Sequence, residues 1–262
     1  MKRFIVTLSL LFLCTISIAS CATTSKQHHP YPIPESIKSK EALIASVVRI
    51  LTVAPVSDCN PKDQTDCRQA QAMVMSSGAL VETPGGIKGI LTVAHAVGAF
   101  GPNIETESYA MLINGMHIKL DQYKCDYLLD VCFMYVDDEI FKRDRRLQTL
   151  KLSSRAPKWG ETIWYTGDPV GIASDFNGTM FPLLKGWFGG TSTFNHPQLG
   201  SRKVSMVTNP AAQGASGSVL VNDDNKIVGV VQMVHPRFPF STLTIEFDDL
   251  EEFLNSILLH KE

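Results

Sequence analysis

The sequence has no basic stripe and no acidic block. Its 24 Lys and Arg against 26 Asp and Glu give a formal net charge of −2 over 262 residues. Nucleic acid, which holds proteins chiefly through phosphate contacts, is therefore excluded as an expected partner. There is no internal repeat and no repeated helical pattern along the body of the chain. The one long apolar run, Phe4 to Ile18, is too short for a membrane span. Cysteine is scarce, with six in all. None of the spacings in the body of the chain has the two-to-four-residue gap of a zinc knuckle, and no histidine pair accompanies them, so no metal is expected. No cofactor is expected either.

What is present begins with a leader. Met1, Lys2 and Arg3 form a short basic head, the apolar run follows, and small residues lead to Cys21. This pattern predicts a signal peptide over 1–20. Ile18-Ala19-Ser20-Cys21 resembles a bacterial lipobox, in which the cysteine is lipidated and becomes the mature N-terminus. The alternative is an ordinary signal peptide cleaved near Ala19 to Ala22. The lipobox reading predicts an exported protein of the cell envelope, held to a membrane through lipidated Cys21, on the periplasmic side in a Gram-negative cell. Residues 21–40, with Thr23, Thr24, Ser25, His28, His29 and three prolines, read as a tether, its two histidines solvated. Cys14 lies in the leader, which leaves Cys59, Cys67, Cys125 and Cys132. In an exported domain these suggest two disulfides; three pairings are possible, and the short spacings favour Cys59 with Cys67 and Cys125 with Cys132.

From Glu41 onward the chain alternates short β-branched and apolar segments with turn signals. Ala45 to Val53, Gly78 to Glu82, Gly89 to Ala94, Ser108 to Ile113 and Val131 to Val136 form a first series. Thr162 to Tyr165, Phe181 to Trp187, Lys203 to Val207, Ser218 to Val221 and Lys226 to Val234 form a second, its last two members joined by the turn Asn222 to Asn225. Many short strands predict an all-β barrel or sandwich. Only the end departs: Phe247, Leu250, Phe253, Leu254, Ile257 and Leu258 recur at helical spacing behind acidic residues, predicting a closing amphipathic helix over about 247–259.

Ser216, held between Gly214, Ala215 and Gly217, could be an ordinary turn serine. As a nucleophile it would need a base and oxyanion donors. Of seven histidines, His95 is the best placed base, at the end of the apolar segment GILTVAHAV with small residues on both sides. A buried histidine satisfied by a carbonyl is the plainer alternative. Asp130, directly before the apolar strand starting at Val131, is the candidate orienting carboxylate, and Asp126 its nearest rival.

Three separated segments then match one family in one order. Ser77-Gly78-Ala79-Leu80 followed by GGIKGILTVAHAV, then DVCFMYV, then NPAAQGASGSVL followed by KIVGVVQ, together resemble the trypsin-like serine peptidases, particularly the bacterial Htr-type group. The match spans about residues 44–235. The order His, Asp, Ser excludes the α/β-hydrolases, which run Ser, acid, His, and Ser218 breaks their Gly-x-Ser-x-Gly elbow.

The resemblance implies an all-β fold of two six-stranded antiparallel barrels, the first over about 41–146 and the second over about 147–245, with the C-terminal helix. It implies a serine endopeptidase acting on polypeptides, with His95, Asp130 and Ser216 as its triad and the N–H groups of Gly214 and Ser216 as its oxyanion hole. Gln232, Met233 and Val234 would pair with an extended substrate, and Asn209, Pro210 and Ala211 would form the base of the primary pocket. No acid stands at that base, so cleavage after Lys or Arg is not expected; a small or medium apolar side chain is. Ala215 replaces the aspartate of zymogen-activated relatives, which predicts a site formed by folding alone or by substrate. Nothing resembles a PDZ module after the catalytic domain. The alternative on the same fold is a non-catalytic peptide-binding or structural envelope lipoprotein, and a sandwich-type adhesin would make the triad pattern coincidence. Oligomeric state is not legible.

Overall fold

The computed structural model describes residues 40–60, 63–100, 104–168, 182–196, 200–235, 238, 240–257. The expected signal peptide, Cys21 and nearly all of the tether lie outside these residues. Among the described residues the chain is mostly strand, with fourteen strands and four helices. The N-terminal half holds α1 (Glu41–Ser46), β1 (Val47–Asn60), β2 (Asp63–Glu82), β3 (Lys88–Thr92), α2 (Ala94–Val97), β4 (Glu107–Leu112), β5 (His117–Lys119), β6 (Tyr123–Asp126), β7 (Val131–Tyr135) and α3 (Glu139–Arg143). The C-terminal half holds β8 (Leu150–Leu152), β9 (Thr162–Thr166), β10 (Leu183–His196), β11 (Gly200–Val207), β12 (Val219–Val221), β13 (Lys226–Val234), β14 (Thr242–Ile245) and α4 (Phe247–Asn255).

Pairing is antiparallel throughout except at β8, which runs parallel both to β2, with Val81 opposite Leu150, and to β13, with Ile227 opposite Leu152. That short strand joins the two halves into one hydrogen-bonded path. Division of the strands into two six-stranded barrels remains an expectation.

Most expected strands are present with shifted ends, and β13 has the expected bounds. Ala45 and Ser46, expected in a strand, instead close α1. The expected Gly78–Glu82 strand is only the end of a 20-residue β2 that pairs with β1 from Asp63 to Ala79. The ribbon escapes sequence reading because it is only part-buried: Pro55, Gln69, Gln71 and Met73 are exposed, and the residues between the last three, Ala70 and Ala72, are half-buried and too small to mark a strand.

Three apolar clusters organise the interior. Val48, Ile50, Leu80, Ile90 and Met134 belong to the N-terminal half, and Ile163, Tyr165, Val207, Leu220 and Val231 to the C-terminal half. The third draws on both halves and on α4, with Leu91 and Phe133 meeting Val219, Val230, Leu250 and Leu254. The predicted amphipathic face is thus the buried one. Glu246 caps α4 by accepting the Asp248 N–H at 2.9 Å, and acidic Asp248 and Asp249 suit the positive end of its dipole. Lys40 is buried against the C-terminal half: its ammonium donates to the Asn222 and Asp223 carbonyls at 3.2 and 2.6 Å and lies 5.4 Å from the Trp164 ring centre. Burial lowers its pKa, opposed by Asp223 and Asp224. No helix among the described residues is long and apolar enough to cross a membrane.

Where β3 meets β7, Gly89 allows the strands to pack ring against backbone. A Cβ there would fall 2.3 Å from Phe133 Cζ and 2.4 Å from the Met134 oxygen. Gly89→Ala should cost about 2 kcal/mol or more in urea unfolding. Gly85→Ala, whose methyl would meet only Thr83 Oγ1 at 3.7 Å, should change stability by less than about 0.5 kcal/mol; equal effects would contradict this packing.

Candidate active site

The β3–β7 ladder ends with Thr92 opposite Cys132. The chain just after Thr92 and the chain just before Cys132 must therefore converge, and these carry His95 and Asp130. Sequence reading places His95 at a strand end; the structure places it one step on, in the single turn α2, because β3 stops at Thr92 and Gly98 N–H closes on the Ala94 carbonyl at 2.9 Å. Asp130 ends the turn between β6 and β7. That turn is tightened by Asp126, whose Oδ1 accepts the N–H groups of Leu128 and Leu129, both at 2.9 Å, so the rival carboxylate is a turn former. Cys125 and Cys132 close the same hairpin as a disulfide. Cys59 and Cys67 face each other in the β1–β2 register.

Asp130 has φ of +54°, a left-handed conformation that aspartate tolerates better than most residues. Its carboxylate is buried and reaches His95 twice. Oδ1 accepts the His95 backbone N–H at 2.9 Å, and Oδ2 lies 2.8 Å from Nδ1. An ionised carboxylate in this position assigns the proton to Nδ1 and leaves Nε2 as the basic nitrogen. The imidazole is half exposed, 50% against 7% for the Asp130 side chain, so one edge is fixed while the other faces solvent. Arg202 Nη1 donates to the Leu128 carbonyl at 3.1 Å. Burial lowers the pKa of that guanidinium, and the nearby Asp130 charge opposes the shift.

Ser216 lies on a turn whose hydrogen bonds have a definite pattern. Ala215 N–H donates to the Ala212 carbonyl at 3.0 Å, with Gly214 between them at φ of +91°, the value that the third position of a type II turn requires. Gly217 N–H donates to Val231 and Ser218 N–H to Ala215. Among the described residues, the N–H groups of Gly214 and Ser216 donate to no protein acceptor. Both expected oxyanion donors are thus uncommitted, one on either side of Ala215, whose N–H closes the turn.

Gln232 links the serine to the acid. Ser216 Oγ donates to the Gln232 carbonyl at 3.3 Å, while Gln232 Nε2 donates to the Leu129 carbonyl and, at 3.3 Å, to the Asp130 carbonyl. Gln232, expected to contact substrate, is buried, whereas Met233 and Val234 beside it are half-buried. No Ser216–His95 hydrogen bond is formed; the serine hydroxyl is turned to Gln232.

Of the residues expected at the pocket base, Asn209 is fully buried, with a Cβ on Gly186 having to overlap its Oδ1, and Thr242 Oγ1 donates to its carbonyl at 2.7 Å. Pro210 is exposed, and its carbonyl accepts the phenol of Tyr165, whose pKa burial raises. Ala211 is half-buried. His235 N–H pairs with the Ser241 carbonyl at 2.9 Å, and its side chain borders a cavity of about 240 Å³ between β10, β11 and β14. Sequence reasoning missed Ser77 as a site residue. Its N–H donates to the Ser216 carbonyl and its Oγ to the Gly214 carbonyl, each at 2.8 Å. Only its place beside a glycine in the motif Ser77-Gly78 hinted at a close approach.

No protein-family model matches the chain, and no curated protein does. Solved structures do. The active form of the Rv3671c protease from M. tuberculosis is 17% identical at a TM-score of 0.60, over 86% of this chain and 87% of that one. An inactive form of the same protease is 16% identical at 0.59, over 87% and 98%. Its serine-to-alanine mutant, also inactive, is 15% identical at 0.59, over 88% and 97%. This chain has the all-β, chymotrypsin-like fold of that protease, closed by a C-terminal helix.

Proposed function

We propose that the chain is a serine endopeptidase of the bacterial cell envelope, with residues 41–262 as one trypsin-like domain and lipidated Cys21 as its anchor. The observation that carries the reading is the convergence of two independent devices: a buried Asp130 fixing the ring and main chain of His95, and a serine turn that leaves the Gly214 and Ser216 N–H groups uncommitted.

In this mechanism His95 Nε2 takes the Ser216 proton as Oγ attacks the peptide carbonyl, and Asp130 stabilises the imidazolium without taking the proton itself. Gly214 and Ser216 N–H donate to the oxyanion. The imidazolium then protonates the leaving amine, and water hydrolyses the acyl-enzyme by the same route. The hydroxyl must first turn from the Gln232 carbonyl toward His95. Substrate runs along β13 at Met233 and Val234. With no acid at Asn209 to Ala211, the pocket takes a small or medium apolar side chain. The serine's bond to Gln232 is what favours a second reading, a peptide-binding lipoprotein that does not hydrolyse.

Fluorophosphonate labelling separates the two. The parent should label, and Ser216→Ala and His95→Ala should not; an unlabelled, folded parent would favour the binding protein. With a peptide substrate, Ser216→Ala should lower kcat by roughly four to six orders of magnitude, and unchanged hydrolysis would assign the activity elsewhere. For the anchor, Cys21→Ser should move the protein from the membrane to the soluble fraction on cell fractionation. Retention at the membrane would rule out Cys21 as the attachment point.

A further inference from the structure

Behind the serine turn, a buried ion pair joins the two halves of the chain. Arg49 in β1 and Asp168, two residues after β9, meet through Arg49 Nε and Asp168 Oδ2, with the residues 9% and 1% exposed. Neither is joined to His95 or Asp130 by a hydrogen bond or ion pair, and the mechanism above uses neither. Their neighbours give them a task. Arg49 stands opposite Ser77 in the β1–β2 register. Asp168 N–H donates to Ser77 Oγ at 2.8 Å. That hydroxyl, accepting from Asp168, directs its own proton to the Gly214 carbonyl at 2.8 Å, and Ser77 N–H holds the Ser216 carbonyl at 2.8 Å.

We infer that Arg49 and Asp168 are positioning residues that set the serine turn: the ion pair fixes the Asp168 main chain, Asp168 fixes the Ser77 hydroxyl rotor, and Ser77 fixes the carbonyls of Gly214 and Ser216. Peptide planes are rigid, so a fixed carbonyl constrains the N–H of the residue that follows it. Holding the Gly214 carbonyl directs the Ala215 N–H to Ala212 and closes the turn with the Gly214 N–H outside it. Space at the contact is tight enough to transmit displacement. A Cβ on Gly167 would fall 2.0 Å from Ser218 Oγ and 2.9 Å from Ser77 Oγ, and one on Gly217 would fall 2.0 Å from the Ser77 oxygen. An ion pair suits this task because its strength lies in geometry: buried pairs add little net stability over apolar residues of the same volume, yet they allow few alternative arrangements.

The inference rests on the peptidase reading only for its kinetic arm. The structural arm is amide hydrogen exchange across residues 212–218 in the full chain, comparing the parent with Asp168→Asn, Arg49→Lys and the double variant Arg49→Met/Asp168→Leu. Asp168→Asn should speed exchange in that segment by about tenfold or more, with α4 and β7 unchanged. Arg49→Lys, which keeps the charge, should fall between the two. With peptide substrate, kcat should drop roughly 10- to 100-fold with KM within about twofold, the signature of misplaced oxyanion donors. Should Asp168→Asn fail to fold, the double variant decides, because it removes both charges together. Its thermal midpoint should stay near the parent's while protection at 212–218 and kcat are lost. Parent-like protection and kcat in a folded double variant would overturn the inference. A parent that hydrolyses no peptide would sink the peptidase reading, while the exchange contrast would still decide the role of the pair.

Discussion

The closest dependence in this molecule is the approach of β2 to the serine turn at Ser77. One residue there supplies an N–H to the Ser216 carbonyl and a hydroxyl to the Gly214 carbonyl, and Thr92 Oγ1 in β3 donates to the Ser77 carbonyl at 2.8 Å. The strand that leads to His95 and the turn that carries Ser216 are therefore tied to one buried backbone point. Such an approach is sterically possible only because Gly217 has no side chain; its φ of +89° is also one that glycine alone adopts without strain.

From that point the geometry of the site follows by short, stiff links. β3 pairs with β7, so His95 and Asp130 emerge side by side, and a disulfide and an Asp126 turn hold the loop between β6 and β7. Gln232 on β13 bonds to the main chain at Asp130 from one side and to Ser216 from the other. The links through Ser77, Gln232 and the Asp130 carboxylate are hydrogen bonds at buried side chains, where leaving a group unpaired costs more than the bond itself contributes. The site is thus set by the same groups whose satisfaction the fold requires. The half-exposed His95 ring is the part left free to meet another molecule.

Much of this was legible. Alternating apolar segments gave the strand class, and Lys226 to Val234 even gave the bounds of β13, because a strand buried on both faces reads as an unbroken apolar run. The helical spacing of Phe247, Leu250 and Leu254 identified the face of α4 that is buried. Their sequence neighbours single out His95 and Asp130, and the structure brings that pair together. Illegible were the long β1–β2 ribbon, whose inner face carries small, half-buried residues such as Ala70 and Ala72, and the turn of α1 before β1, where Ala45 and Ser46 suit either state.

The order of His95, Asp130 and Ser216, the glycines around the serine, and the absence of an acid near Asn209 belong to the sequence alone, since each is a local matter of residue type and neighbours. The roles of Ser77, Gln232, Arg49 and Asp168 were decided by tertiary structure. A serine, a glutamine, an arginine and an aspartate carry no local pattern that separates a site residue from a surface one. They gain their meaning only when β1, β2, β13 and the chain just after β9 bring them within 3.3 Å of the serine turn or of one another. Hydrogen bonds between residues far apart in the chain depend on distance and angle, and the fold sets both.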